Sequence, residues 1–310
     1  MTETRSAETR PAETRPAETR PVWMERPTVP TSVIKAIVLV VVAVIMIYPF
    51  VYVISVSLSS PDAVRAGDVL LFPIDPTLEA YRIILSNGLV ARALLVSVGV
   101  TAVGTLLSVV LTVTLAYGLT RTRDVPGARI ILYLVLFTML FSAGIIPNYL
   151  LVKSLGLLDT YAALIIPVAV SAFNLVVIRN FFMNLPQELL DSARVDGASE
   201  WQILWRIVMP LSKAAVAVIA LFYGVAYWND FFHAMIYLND TEKWPVQLVL
   251  RQYVLGGSPF GDQAVNEQIQ LVAKNLQMAV VVLATIPILV VYPFLQRFFT
   301  TGVLTGAIKG

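Results

Sequence analysis

Tyr223, Tyr227 and Asp230 recur at i, i+4 and i+7 along an apolar stretch of this 310-residue chain, with Trp228 and Asn229 beside them. Asn174 lies inside an earlier apolar run. Ring faces and carboxamides together suit a polyhydroxylated solute, because rings stack on its apolar faces and amides bond its hydroxyls. Polar groups within long apolar segments are costly and mark a pathway by default, which makes Asn174, Tyr223, Tyr227, Trp228 and Asn229 candidates for one. A plainer reading stands beside this: Tyr and Trp near the end of a membrane span form interfacial belts, and Asn bonds between helices.

Reaction chemistry is harder to assemble. The chain has no cysteine, which excludes thiol nucleophiles, thiolate metal sites and a disulfide framework. Its one histidine, His233 near Asp230, supports neither a Ser/His/Asp set nor a histidine-based metal site. No G-x-x-x-x-G-K-[ST] occurs, so the chain has no phosphate cradle of its own. The expectation is no catalytic residue, no metal and no cofactor bound by this chain. A net charge of +2 is too small to argue for nucleic acid.

A second constellation is polar and helical. Residues 184–211 read NLPQELLDSARVDGASEWQILWRIVMPL, charged and amphipathic between two long apolar runs. Pro186 suits the first turn of a helix, Glu188 the positive N-terminal end, and Gly197 a stop. Ser199 and Gln202 have capping-box spacing, so a second helix starts at once. In it Trp201, Leu204, Trp205 and Val208 form one apolar face, and Pro210 is expected to end it. A surface-lying amphipathic helix is the bland alternative.

The elements that must position these residues are membrane spans. The chain is 57% hydrophobic and 14% charged, with mean hydropathy +0.77, against about 25% charged residues in soluble domains. Apolar runs at 36–58, 94–119, 130–151, 161–183, 214–238 and 278–299 are long enough to cross the hydrocarbon core as helices. Loops 59–90 and 239–275 lie between them, the latter with turn-marking Gly256, Gly257, Pro259 and Gly261. The units AETRP at 7–11, 12–16 and 17–21 each carry one Glu, one Arg and no large apolar side chain, and residues 1–30 are expected to be a disordered tail. Lys and Arg concentrate in the tail, in RTRDVPGAR (121–129), in 184–213 and after the last span, which puts both termini and the 184–211 loop in the cytoplasm. The expected class is an all-α integral membrane protein of six spans occupying residues 31–310.

The segment ELLDSARVDGASEWQILWRIVMPL resembles the EAA loop of binding-protein-dependent ABC permeases. Asp191-Ser192-Ala193 stand where that motif has Glu-Ala-Ala, Asp196-Gly197-Ala198 match its D-G-A, and Ile207 and Pro210 its tail. FSAGIIPNYLLVKSLGLLDTYAALIIP (141–167), YWNDFF (227–232) and GVLTGAIKG (302–310) make the resemblance closest to carbohydrate-uptake permeases of the maltose type and their polysaccharide-utilisation relatives. It implies the MetI-like permease fold with cytoplasmic coupling helices in a bacterial cell membrane. It also implies a second homologous permease, ATP-binding subunits that use ATP and Mg, an extracytoplasmic solute-binding protein, a sugar or oligosaccharide, and membrane lipid around the spans. Under the same resemblance Glu188, Asp191, Ser192, Ala193, Arg194, Asp196, Gly197 and Ala198 would meet the ATPase. A secondary, ion-coupled transporter is the alternative, disfavoured by the near absence of intramembrane charge and of repeated halves.

Overall fold

The structure is a computed structural model that describes residues 29–86, 88–121, 125–255 and 274–293. The AETRP tail, the glycines of 256–261, Arg297 and the C-terminal GVLTGAIKG lie outside the described residues. Every regular element among those described is helical: α1 (Val29–Leu58), α2 (Pro61–Ala66), α3 (Glu79–Ser86), α4 (Leu89–Thr120), α5 (Ala128–Leu140), α6 (Ile145–Ser154), α7 (Ala162–Ile165) running into a 3-10 turn (Ile166–Val168), and α8 (Ala172–Met183). There follow α9 (Gln187–Val195), α10 (Glu200–Leu211), α11 (Lys213–Trp228), α12 (Phe232–Tyr237), α13 (Val246–Leu255) and α14 (Lys274–Pro293).

The chain divides into two compact units, residues 1–50 and 51–310. In the first, the described residues are the start of α1, a charge-poor helical run whose side chains are exposed throughout. The second holds the packed clusters and the candidate sites.

Six apolar segments correspond to the six expected spans, but among the described residues only α1, α4 and α14 are continuous helices of crossing length. The expected run 130–151 is two helices, α5 and α6, interrupted at 141–144, where Gly144 takes φ +85°. Run 161–183 bends by 50° between the 3-10 turn and α8. Pro167, which lacks a donor, sits inside the 3-10 turn, and the helical backbone is lost at Ser171, whose extended conformation caps α8. Run 214–238 is α11, an interruption at 229–231, and α12. The short helices α2 and α3 fill loop 59–90.

In lipid, helices associate through small and hydroxylated residues rather than through hydrophobic burial. The face of α4 that meets α11 and α8 is built that way: Ala93, Ser97, Val100, Gly104, Ser108, Thr112 and Ala116 are all buried. A Cβ on Gly104 would sit 2.9 Å from the Tyr227 ring, so the absent side chain is what lets that ring lie against α4. Ser97 Oγ accepts the Val246 N–H at 2.8 Å and so anchors the start of α13.

Candidate functional site

One candidate site is a cavity of about 590 Å³ between α8, α11 and the start of α12, lined among others by Ser171, Phe173, Asn174, Phe222, Tyr223, Tyr227, Asn229, Asp230 and His233. Four of the five pathway candidates therefore meet. Trp228 does not: it is buried on the other side of α11, against Ala80, Ile84, Val90 and Val246. Asn174 is only 5% exposed, and its backbone N–H bonds Ser171 Oγ at 3.4 Å at the start of α8, in the cavity wall. A carboxamide so placed offers both a donor and an acceptor to the hydroxyls of a solute. Asp230 accepts from the His233 backbone at 3.2 Å, and the two side chains lie 2.8 Å apart. The turn after α12 is held by Asp159, whose carboxylate accepts from Asn239 and Asp240 N–H and from Lys243 Nζ at 2.8 Å. That ammonium holds the Asp159 carboxyl below its ordinary range.

The two tyrosines have a structural duty that spacing alone did not announce. Ser108 and Tyr227 hydroxyls lie 2.8 Å apart, and the phenol reaches the Ile165 carbonyl at 3.4 Å. Tyr223 bonds Thr112 Oγ1 at 2.7 Å and accepts the Ser171 N–H at 2.8 Å. Ile165 and Ser171 flank the break in the fourth span, where backbone groups lose their helical partners. The phenols supply those partners, so the ring faces, more than the hydroxyls, are left to line the cavity.

The other candidate site is the 184–211 loop. Its two helices fold as expected: α9 ends at Val195, and Gly197 takes φ +81°. Ala198 N–H bonds the Ala193 carbonyl and Gly197 N–H that of Arg194, a Schellman closure. The Ser199–Gln202 capping box is formed in both directions. Pro210, however, does not end α10, which runs to Leu211 before the chain turns 87° into α11. A π-turn at Leu204–Val208 loosens the ladder where proline would clash. It also breaks the expected face: Leu204 and Val208 are buried and Trp205 half-buried, whereas Trp201 is 59% exposed.

Leu190, Ile203, Leu204 and Val208 pack with Val113, Tyr117, Leu119, Ile178 and Phe182, so the loop is seated on the ends of α4 and α8. Ala193 and Ala198 pack inward against this cluster. Glu188, Asp191, Ser192, Asp196 and Gly197 stay exposed, with Val195 at 88% exposure and Leu189 beside them, two apolar side chains the motif did not single out. Sequence reasoning also missed Glu200 and Tyr117. Glu200 pairs with Arg121 through Oε1, accepts from Arg194 Nε at 3.3 Å, and takes the Tyr117 hydroxyl at 2.6 Å through Oε2. The Arg121 guanidinium holds its carboxyl below the usual range, and Glu200 in turn raises Arg121. Only the first-turn position of Glu200 was visible in the sequence, because its partners lie 83 residues away at Tyr117 and six away at Arg194.

Residues 28–305 match the family described as binding-protein-dependent transport system inner membrane component. The chain is 47% identical over 274 residues to a polygalacturonan/rhamnogalacturonan transport system permease protein, YtcP, of Bacillus subtilis (strain 168), covering 88% of this chain and 96% of that protein. It is 47% identical over 276 residues to Protein LplC of the same organism, covering 87% and 91% respectively. Among solved structures it resembles a chain of a bacterial ABC transporter involved in the import of the acidic polysaccharide alginate, with TM-score 0.79 and 34% identity over 86% of this chain and 96% of that chain.

Proposed function

The chain belongs to the binding-protein-dependent transport system inner membrane components, and from that premise we propose a division of labour between its two sites. The chain is a multi-pass permease subunit of an ABC importer for a sugar or oligosaccharide. Membership implies a partner permease, an ATPase and a binding protein; the relatives give the ion-coupled alternative no support.

In the proposed arrangement both termini and the 184–211 loop are cytoplasmic, in keeping with the Lys and Arg of the short loops. Exposed Glu188, Asp191, Ser192, Asp196 and Gly197 of the loop, with Leu189 and Val195, meet the ATPase surface, while Ala193, Arg194 and Ala198 hold the turn in shape. ATP and Mg act on that partner, not on this chain. The solute passes the cavity of Asn174, Tyr223, Tyr227 and Asn229.

The meeting of Asn174, Tyr223, Tyr227 and Asn229 in one aromatic-walled cavity is the observation that carries the pathway reading. The substrate class we favour is an oligosaccharide bearing uronates, from the polygalacturonan and alginate relatives. His233 is the one described lining residue able to become cationic, and it is paired with Asp230 of the same wall.

The test is uptake into proteoliposomes holding the full complex and its binding protein. Labelled oligogalacturonate is expected to enter only with ATP, and Asn174→Ala is expected to slow it while ATPase subunits stay bound. Equal uptake of a neutral oligosaccharide of the same length would remove the acidic class, and unchanged uptake in Asn174→Ala would remove this cavity from the route.

A further inference from the structure

The coupling reading says where an ATPase would push but leaves open which bond carries the push into the spans. Glu200 is the first residue of α10, and its carboxylate joins three separate elements. Oε1 meets Arg121 at the end of α4 and Arg194 near the end of α9; Oε2 meets the Tyr117 hydroxyl one turn earlier on α4. Arg121 Nη2 donates to that same hydroxyl at 3.2 Å, closing a ring, and its guanidinium lies 5.3 Å from the Tyr117 ring centroid. Arg194 also pairs with Asp191, so the brace extends along α9. Farther along α4 are Ser108 and Thr112, the hydroxyls bonded to Tyr227 and Tyr223 at the cavity wall. One rigid helix therefore has the loop tied to its end and the cavity tied to its middle.

We propose that Glu200 is a positioning residue that fastens both helices of the 184–211 loop to α4, so that α4 carries the loop's displacement to the tyrosines of the cavity. This rests on the reading of that loop as the ATPase-receiving element. A contact chain alone does not establish coupling; what establishes it is a change in one site's response when the tie is cut. The apolar cluster beneath the loop would still seat it without Glu200, so the carboxylate's contribution is direction and stiffness rather than folding.

The experiment uses the complete complex in proteoliposomes. Glu200→Gln keeps the size but removes the charge and replaces one acceptor oxygen by a donating amide. The expected result is retained ATPase subunits and ATP hydrolysis, with uptake per ATP reduced about tenfold, within the usual range of coupling between sites. The chain has no cysteine, so an Arg121→Cys, Glu200→Cys pair can be joined by a short thiol cross-linker after assembly. The reduced pair should be uncoupled, and the cross-linked pair, the same polypeptide already folded, should regain uptake. Unchanged uptake per ATP in Glu200→Gln, or no recovery on cross-linking, overturns the proposal while leaving the loop reading intact. Loss of the ATPase from Glu200→Gln also overturns it, because the carboxylate would then serve docking. Absence of any ATPase from the parental complex defeats the loop reading itself.

Discussion

The two ends of the α4 contact system are fastened by opposite chemistries. At the loop, Glu200, Arg121, Arg194 and Asp191 form an ionic brace whose side chains are all partly open to solvent. At the cavity, Ser108, Thr112, Tyr223 and Tyr227 form a neutral ladder that is buried. The contrast follows the cost of desolvation. Charges stay where water can reach them, because removing an ion from water costs several kcal/mol, about 20 in the idealised limit. Hydroxyls satisfy the broken fourth span, at Ile165 and Ser171, without placing a charge in the interior of the bundle. Exposed ion pairs contribute roughly 0–1 kcal/mol, whereas removing one partner of a buried hydrogen bond costs about 1–3 kcal/mol. The ladder should therefore govern stability, and the brace should govern coupling with little effect on stability.

The hardest test of that division is Gly104→Leu. Its Cβ meets the Tyr227 ring at 2.9 Å, so the ladder must separate; overpacking of this kind costs about 1–3 kcal/mol or more. A clear fall in the melting temperature of the purified complex is expected, together with loss of uptake; an unchanged melt would mean the α4–α11 contact is not structural. Tyr223→Phe comes next. It strands the Ser171 N–H and Thr112 hydroxyl, worth about 1–3 kcal/mol, and should lower the melting temperature and increase hydrogen exchange around 166–171.

Gly197→Ala should have a smaller effect. A Cβ there meets nothing within 4 Å, but φ is +81°, a conformation that costs an L-residue about 1–2 kcal/mol. The protein should still insert and melt nearly normally while uptake falls, and a bulky replacement at the same position should uncouple it; normal uptake in the bulky variant would sink the idea that backbone approaches a partner here. The weakest lever is solvent. Raising ionic strength from about 0.1 M to 1 M shortens the screening length from about 10 Å to 3 Å, so uptake per ATP should fall slightly while the melt of the buried ladder does not move. Arg121 lowers the Glu200 carboxyl's pKa, so the brace is fully formed above the ordinary carboxylate value of about 4.3 and is lost as pH falls through the lowered one. Coupling should thus be flat between pH 8 and pH 6 as far as this group decides it.

The class of fold was readable because membrane helices need long charge-free runs, and α1, α4 and α14 are such runs. The loop's helix pair was readable because Gly197, Ser199 and Gln202 act locally: a left-handed turn and a reciprocal cap depend on neighbours within a few residues. What escaped was non-local. The break at 166–171 is tolerated only because Tyr223 and Tyr227 arrive from another helix to satisfy it. Trp228, adjacent to Tyr227 in sequence, packs instead against Ala80, Ile84 and Val246 of α3 and α13, partners that no local spacing announces. Glu200 looked like an ordinary first-turn acid until folding brought Tyr117 and Arg121 to it.

The π-turn at Leu204–Val208 gives the loop a slack of one residue in length. Such a turn holds one residue more than an α-turn. Deleting one of those five residues would leave a regular α-turn that sweeps nearly the same rotation, so the residues on its N-terminal side would keep their direction. Glu200 would still face Arg121, whereas one residue lost from regular helix turns what precedes it by about 100°. For this stretch a single-codon deletion is a milder genetic event than it would be in regular helix, and chains that keep the brace can differ by one residue between Glu200 and Pro210.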